Sequence, residues 1–327
     1  MSPQLDPQAQ ALLEVMRAAG APQLYALPVE QAREQARAAF VTRGEPIPLH
    51  SVENVSLPTP HGALGLRLYR PADGVLPVAL FLHGGGWTLN DLDTHDRLCR
   101  RIARRSGWLI AALDSRRAPE HKHPAALEDA HWAYRWLLDN SERIGTDAAT
   151  VALVGESSGG ATAASLTLLL RDLGAPQPAL QILAYPIADM SDRWPSYSEH
   201  GSGYTLDADF VRWSLENYLS SGHDPSDPYL FPLSAQDLSG LPSTLLLTAE
   251  FDPLRDGGIA YARELADANV AVEHVHAKDQ MHGFLLLDRA VDRAGTLIDL
   301  IADALADTAS KPCRAARELD GELPAGS

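Results

Sequence analysis

A serine flanked by glycines is the first residue whose surroundings indicate covalent chemistry. Gly155-Glu156-Ser157-Ser158-Gly159 matches the pattern G-x-S-x-G. An apolar run precedes it and a helical pattern follows it, which is the strand, turn and helix context of a nucleophilic serine. The spacing differs from the G-x-G-x-x-G of a dinucleotide-binding loop. Ser157 is therefore the candidate nucleophile, and a simple loop at a helix start is the alternative.

A run of three glycines supplies the second chemical feature. The motif HGGGW, residues 83–87, follows another apolar run. Glycines leave backbone N–H groups unobstructed, and loops of this kind accompany G-x-S-x-G serines, where they stabilise the oxyanion of acyl transfer. We predict that four backbone N–H groups form this oxyanion hole, those of Gly84, Gly85, Gly86 and Ser158.

A serine nucleophile needs a base, and the base needs a carboxylate that orients it. With a G-x-S-x-G serine the order along the chain is serine, acid, histidine. Asp252 lies just past an apolar run, at the carboxyl end of a predicted parallel strand, where sites gather. Asp256 is the nearby alternative and is better suited to capping the next helix.

The candidate base is His282, on a loop after the last predicted strand. His274 and His276 alternate within that strand and are better explained as structural or surface residues. His121 and His123 precede the serine and so break the expected order. The His-x-His pairs lack a cysteine or carboxylate cluster that would complete a metal site, so we predict no metal and no cofactor.

The elements that must position these residues are predicted from periodicity. Unbroken apolar runs, typical of strands buried on both faces, lie at 78–82, 108–113, 150–154, 180–184 and 244–248. Helical patterns lie at 94–105, 124–139, 159–173, 256–268 and 289–307. Further strands are predicted at 52–57, 62–69 and 271–276. This alternation predicts an α/β fold with a mostly parallel central sheet and helices on both faces.

Two segments do not follow the alternation and set the predicted organisation. Residues 1–45 contain two helices, from Pro7 and Pro28, whose apolar faces are too narrow to stand alone. Residues 188–226 are rich in aromatic side chains and form either a surface insertion or, as the aromatics favour, a lid. Trp87 and Tyr204 are predicted to bind substrate. The core is then 46–187 and 227–309, with a flexible tail at 310–327.

Composition excludes several classes of partner. The 327 residues carry a net charge of −16, which disfavours binding to nucleic acid or an anionic membrane. Cys99 and Cys313 are too few for a disulfide framework, and the N-terminus does not resemble a secretory signal, so a cytoplasmic setting is expected. No apolar stretch is long enough to span a membrane.

The motifs together resemble the hormone-sensitive-lipase-like esterases of the α/β-hydrolase superfamily, with bacterial acetyl esterases as the most similar members. HGGGW, GESSGG, EFDPLRD and MHGF fall in the family's order. The resemblance implies an α/β-hydrolase fold with a helical cap, made by the N-terminal helices and the insertion. Ser115, Arg117 and Glu156 depart from the family's usual residues, which affects pocket shape rather than the catalytic trio. Glu120 is either a partner of the oxyanion loop or a solvated carboxylate.

The resemblance also implies the activity. We expect a serine carboxylic-ester hydrolase that acts on short-chain, small-molecule acyl esters through an acyl-enzyme formed on Ser157. An amidase or carbamate hydrolase with the same trio is one alternative, and an inactive small-ligand receptor on the same scaffold is another. A homodimer is compatible with the sequence, which does not fix the physiological ester or its stereochemistry.

Overall fold

A central sheet carries the candidate site. The computed structural model describes residues 3–40, 45–189, 192–309 and 317–318. Within these residues the strands are β1 Ser51–Thr59, β2 Gly62–Arg70, β3 Leu76–Leu82, β4 Leu109–Asp114, β5 Thr146–Glu156, β6 Leu180–Ala184, β7 Thr244–Phe251, β8 Val272–Met281 and β9 Arg317–Glu318. Their order is β1-β2-β4-β3-β5-β6-β7-β8-β9. The pairs β1–β2 and β2–β4 are antiparallel and the other pairs are parallel.

The register of the parallel strands brings the chemical motifs together. Leu82 at the end of β3 pairs with Gly155 near the end of β5, so the HGGGW loop and the serine turn leave the sheet side by side. Phe251 at the end of β7 pairs with Met281 at the end of β8. The residues that follow these two, Asp252 and His282, are therefore neighbours as soon as the chain leaves the sheet.

Helices cover both faces of the sheet. They are α1 Pro7–Ala19, α2 Val29–Phe40, α3 Asp96–Ser106, α4 Ala125–Asp139, α5 Ser141–Ile144, α6 Ser158–Asp172, α7 Pro195–Glu199, α8 Ala208–Tyr218, α9 Arg255–Asp267 and α10 Asp292–Thr308. Along β3, alternate side chains point to opposite faces. Phe81 packs in one core layer with residues of α3 and α10, and Leu80 packs in the other with residues of α4, α6 and α9. The predicted α/β class is thus confirmed.

The N-terminal helices pack at the carboxyl ends of the parallel strands, where the motifs lie. In α1, Asp6 caps the helix and Gly20, with φ 61°, ends it. Leu13 of α1 packs with Phe251 and Met281 at the ends of β7 and β8. The helix α2 packs Ala32 and Ala36 against Leu89, just after the HGGGW motif. Neither helix stands alone.

The structure adds detail that periodicity did not predict. The strand β5 begins at Thr146, four residues before the predicted apolar run at 150–154. The strand β8 extends to Met281, beyond the predicted strand at 271–276. The short helices α5 and α7 had no signal of their own. The predicted tail 310–327 lies outside the described residues except for Arg317–Glu318, which pairs with β8. None of the described helices has the length and apolar character required to cross a membrane.

Candidate active site

Ser157 occupies a tight turn between β5 and α6. Its backbone has φ 55° and ψ −121°, a conformation that non-glycine residues rarely adopt. The flanking glycines permit the turn, because a Cβ on Gly155 would lie 2.6 Å from the carbonyl carbon of Gly159. A Cβ on Gly159 would equally lie 2.6 Å from the carbonyl carbon of Leu82. This geometry raises the serine hydroxyl above the end of the sheet.

A chain of hydrogen bonds joins the serine to a histidine and an aspartate. Nε2 of His282 lies 3.0 Å from Oγ of Ser157, and Nδ1 lies 2.7 Å from Oδ2 of Asp252. The other carboxylate oxygen of Asp252 accepts the N–H of Leu254 at 2.8 Å. Asp252 is fully buried, whereas Ser157 is 8% exposed and His282 is 7% exposed. The serine and the imidazole are therefore the members of the set that face the cavity.

The loop that bears His282 is held from two sides. The ring of Tyr185 lies against the imidazole with its centroid 4.6 Å away, and Phe284 packs edge-on against Tyr185. Oγ1 of Thr205, from the insertion, donates to the carbonyl oxygen of His282 at 2.5 Å. The insertion thus fixes the backbone of the histidine directly.

The glycine loop turns beside the serine with unusual backbone angles. Gly85 has φ 114° and Gly86 has φ 62°, both in the region that favours glycine. Gly85 and Gly86 line the same cavity as Ser157. Ser158 is the first residue of α6, where N–H groups have no partner within the helix. The N–H of Gly84 has another partner, since it donates to the carboxylate of Glu156.

Glu156 is a buried carboxylate next to the serine. Its Oε1 accepts a hydrogen bond from Nε2 of His95 at 3.0 Å as well as the N–H of Gly84. Burial alone would raise the pKa of Glu156, but the hydrogen bond and charge of His95 outweigh it, so the pKa lies below its ordinary value. The side chain is thus an ionised group behind the glycine loop.

A small apolar cavity opens onto the serine and the histidine. Its volume is about 120 Å³. Side chains from the N-terminal region and from the insertion complete its wall, namely Leu24, Ala36, Leu206 and Phe210, together with Leu286 and Leu287 near the histidine. Phe210 stands beside the glycine loop, with Cε1 3.5 Å from the position a Cβ would take on Gly86.

The two residues predicted to bind substrate lie elsewhere. The indole of Trp87 stacks on Tyr218 with ring centroids 4.2 Å apart, and its N–H donates to Oγ1 of Thr162. Tyr204 packs against Phe251 and His200. Neither is among the residues that line the cavity at Ser157, within the part of the chain that the structure describes. Their rings instead support the loop and the insertion from behind.

An arginine with no predicted role joins α2 to the glycine loop. Arg33 donates to the carbonyl oxygens of Thr88 and Ala118 and forms two hydrogen bonds with Glu120. These bonds lower the pKa of Glu120 to about 2. Glu120 is thus a partner of the N-terminal helix rather than of the glycine loop itself. Arg33 had no signal beyond its place in an Ala-rich helix.

The described residues contain no cluster of side chains that could bind a metal ion. Within them, no group of three or more His, Cys, Asp or Glu side chains is arranged to hold an ion. His274 and His276 share the hydroxyl of Thr248, and His276 also pairs with Glu250. The structural interpretation of these two histidines fits their contacts.

The profile of a family described as alpha/beta hydrolase fold matches residues 79–286. The chain belongs to the α/β-hydrolase family, in its hormone-sensitive-lipase-like branch, and is a carboxylesterase-type hydrolase.

Individual relatives cover most of the chain. It is 40% identical to the carboxylic ester hydrolase LipN of Mycobacterium tuberculosis, over 86% of this chain and 77% of the relative. It is 37% identical to the ethyl acetate hydrolase of Pseudomonas putida, over 90% of this chain and 95% of the relative. Among solved structures, the ester hydrolase EH1AB1 from the metagenome of Lake Arreo, complexed with a bipyridine phosphonate derivative, superposes with a TM-score of 0.91 at 36% identity, over 94% of this chain and all of the other.

Proposed function

We propose that the chain hydrolyses short-chain carboxylic esters, with Ser157 as nucleophile, His282 as base and Asp252 as the orienting carboxylate. The observation that carries the proposal is the unbroken line of hydrogen bonds from the buried carboxylate through both imidazole nitrogens to the serine hydroxyl. That line reproduces the roles of a serine, histidine and aspartate triad.

Acylation is the first half of the proposed reaction. The N–H at Nδ1 of His282 donates a hydrogen bond to Asp252. Nε2 is then unprotonated and can accept the proton of the Ser157 hydroxyl. Oγ then bonds to the ester carbonyl carbon, and the carbonyl oxygen becomes an oxyanion. When this tetrahedral intermediate collapses, Nε2–H gives its proton to the departing alcohol and Ser157 holds the acyl group.

Three backbone N–H groups are proposed to stabilise the oxyanion, those of Gly85, Gly86 and Ser158. Gly84 is left out because its N–H already donates to Glu156. Donors fixed before the reaction need not reorganise as charge develops, and losing one typically costs about 3–4 kcal/mol of barrier.

Deacylation uses the same groups in reverse. Nε2 of His282 removes a proton from water, whose oxygen attacks the acyl carbon, and the second tetrahedral intermediate expels Ser157 Oγ as the acid is released. The proton held on Nε2 returns to the serine. The cycle requires only protein groups and water.

The size of the cavity supports short acyl chains. Its volume of about 120 Å³ is smaller than the roughly 150 Å³ cavities that hold a benzene molecule. The N-terminal region, through Leu24 and through Ala36 of α2, and the insertion both contribute side chains to its wall, which supports their proposed role as a cap. The ethyl acetate hydrolase among the relatives is named for a short ester as well.

A series of p-nitrophenyl esters tests this proposal. We expect kcat/KM to be highest from acetyl to about hexanoyl esters and to fall beyond, because each CH₂ gains about 0.8 kcal/mol only while the cavity has room for it. The Phe210→Ala variant enlarges the cavity and should move the optimum toward longer chains. Val75→Ala, at an exposed position, is the matched control. A maximum at palmitate in the parent, or turnover of a matched anilide instead of the acetate, would refute the proposal.

The contacts of Arg33 lead to a prediction for the N-terminal cap. The Arg33→Met variant keeps the length of the side chain but loses its hydrogen bonds to Thr88, Ala118 and Glu120. We expect KM for p-nitrophenyl acetate to rise several-fold with a smaller change in kcat, because the wall of the cavity is loosened while the trio stays in place. Steady-state kinetics with limited proteolysis of the N-terminal region measures both effects.

Arg135→Met, on a helix of the core, is the control for removing one arginine. Unchanged KM and unchanged proteolysis in Arg33→Met would show that the ion pair does not hold the cap.

Because the folded pKa of Glu120 lies below its unfolded value, the contribution of this pair to stability is present above the unfolded pKa. It is lost as pH falls from there through about 2, so neutral assays report on the intact pair.

A further inference from the structure

The glycine loop is fixed by the groups that hold its peptide planes. The C=O and N–H of one peptide group point in opposite directions because the group is planar and trans. The carbonyl oxygen of Gly84 is held by Nδ1 of His83 at 2.9 Å and by Nδ2 of Asn90 at 3.3 Å. Turning this carbonyl toward His83 and Asn90 aims the N–H of Gly85 the opposite way.

The next peptide is fixed in the same manner. The carbonyl oxygen of Gly85 accepts the N–H groups of Thr88 and Leu89, at 3.2 and 2.9 Å. The N–H of Gly86 belongs to that peptide and so has its direction set as well. The two proposed oxyanion donors of the glycine loop, the N–H groups of Gly85 and Gly86, are thus oriented by bonds to the carbonyl on the other side of their peptides.

The remaining end of the loop is held by Glu156. Its carboxylate accepts the N–H of Gly84 and is packed against that residue, since a Cβ on Gly84 would lie 2.7 Å from the carboxylate carbon. Both backbone polar groups of Gly84 are therefore held by hydrogen bonds, the N–H by Glu156 and the C=O by His83 and Asn90. Glu156 also adjoins Ser157 in the chain, so it ties the loop to the nucleophile.

His95 in turn holds the carboxylate in place. Its Nε2 bonds to Oε1 of Glu156, and its Nδ1 lies 2.9 Å from Oγ1 of Thr94. His95 is 1% exposed and Glu156 is 4% exposed, so water does not compete for these bonds. A charge-assisted hydrogen bond in such surroundings is stronger than a neutral one.

We propose that Glu156 and His95 are positioning residues that hold the glycine loop in the conformation in which the N–H groups of Gly85 and Gly86 meet the oxyanion. The proposal rests on the oxyanion hole of the proposed function and adds two residues that do not touch the substrate. Its consequence is specific: loss of the pair should weaken binding of the transition state and leave binding of the ester almost unchanged.

Variants of Glu156 and a trifluoromethyl ketone inhibitor with a short alkyl chain test this. The ketone carbon bonds to Ser157 Oγ, the serine proton passes to His282, and the former carbonyl oxygen becomes an anion in the oxyanion hole. Glu156→Leu removes the acceptor for Gly84 at similar size, and we expect kcat to fall about 100-fold, the lower end of the loss of one oxyanion donor. The inhibition constant should rise by a matching factor, while KM stays within about threefold.

Two further variants keep the test decisive. Glu156→Gln retains an acceptor oxygen at the same reach and should recover most of the lost activity. His95→Phe keeps a ring of similar size but loses the donor, so it should lower kcat about tenfold, and it carries the test if Glu156→Leu does not fold. Combining Glu156→Gln with His95→Phe should cost less than the product of the separate losses, because the two residues act as a unit.

Asp129→Asn is the control for a general loss of stability. Asp129 is a fully buried carboxylate that pairs with Arg116 away from the site, so its variant should lower the melting temperature without changing the ratio of the inhibition constant to KM. Folded Glu156→Leu and His95→Phe with kcat within threefold of the parent, or with KM and the inhibition constant raised equally, would overturn the proposal. A parent enzyme that the ketone does not inhibit would instead contradict the proposed function.

Discussion

Replacing His282 with alanine should lower kcat for p-nitrophenyl acetate by several thousand-fold. Nε2 of His282 lies within hydrogen-bond reach of the Ser157 hydroxyl, so its loss would leave the proposed nucleophile protonated. Ser157→Ala should cost a similar factor, and the double variant little more, because members of such a trio act as a unit. Stopped assays at high enzyme concentration measure the residual rate.

Covalent labelling tests the assignment of Ser157 as the nucleophile. A serine-directed phosphonate should label the parent at Ser157 and should not label Ser157→Ala. His274→Ala is the control for removing a histidine near the sheet edge and should keep parental activity, since His274 bonds to Thr248 away from the serine. If His282→Ala keeps more than about a tenth of the parental kcat, against the losses of about 10³-fold or more expected for a triad, the assignment of the base is wrong.

Asp252→Asn should lower kcat by about 10⁴-fold with little change in KM. The amide would present N–H or C=O to Nδ1 of His282, and neither the correct tautomer nor the developing imidazolium would be stabilised as by a carboxylate. The side chain keeps its size, so the fold should persist. Steady-state kinetics together with a thermal melt separates the catalytic effect from any loss of stability.

Asp256→Asn, in the first turn of α9, provides the comparison for a nearby aspartate. Asp256 accepts the N–H of Ser196 and pairs with Arg255, so it joins the insertion to α9 rather than contacting the histidine. We expect its variant to lose some stability while retaining kcat within a few-fold. A larger loss of kcat in Asp256→Asn than in Asp252→Asn would reverse the assignment of the acid.

The order and placement of the chemical motifs were predictable because parallel strands all end at one edge of the sheet. Apolar runs predicted β3, β5 and β7, and residues that follow the ends of neighbouring strands must lie close together. Ser157 was predicted from the G-x-S-x-G motif, and Asp252 and His282 from the order serine, acid, histidine together with their positions after strand ends.

The supports of the site were not predictable in this way. Periodicity predicts which face of a helix is buried but not which carbonyl an arginine on that helix will reach, so Arg33 was missed. The indole of Trp87 could turn toward either side of its loop, and packing on Tyr218 settled its direction. His95 and Glu156 lie 61 positions apart in sequence, and only the folded chain brings their side chains together.

The backbone of Ser157 has a consequence for attempts to improve this enzyme. A non-glycine residue held at φ 55° costs on the order of 1–3 kcal/mol, which the rest of the fold must supply. Glycine adopts such angles without that cost, so directed evolution that selects only for heat resistance would favour loss of the proposed nucleophile. Selection for turnover must therefore accompany selection for stability at this position.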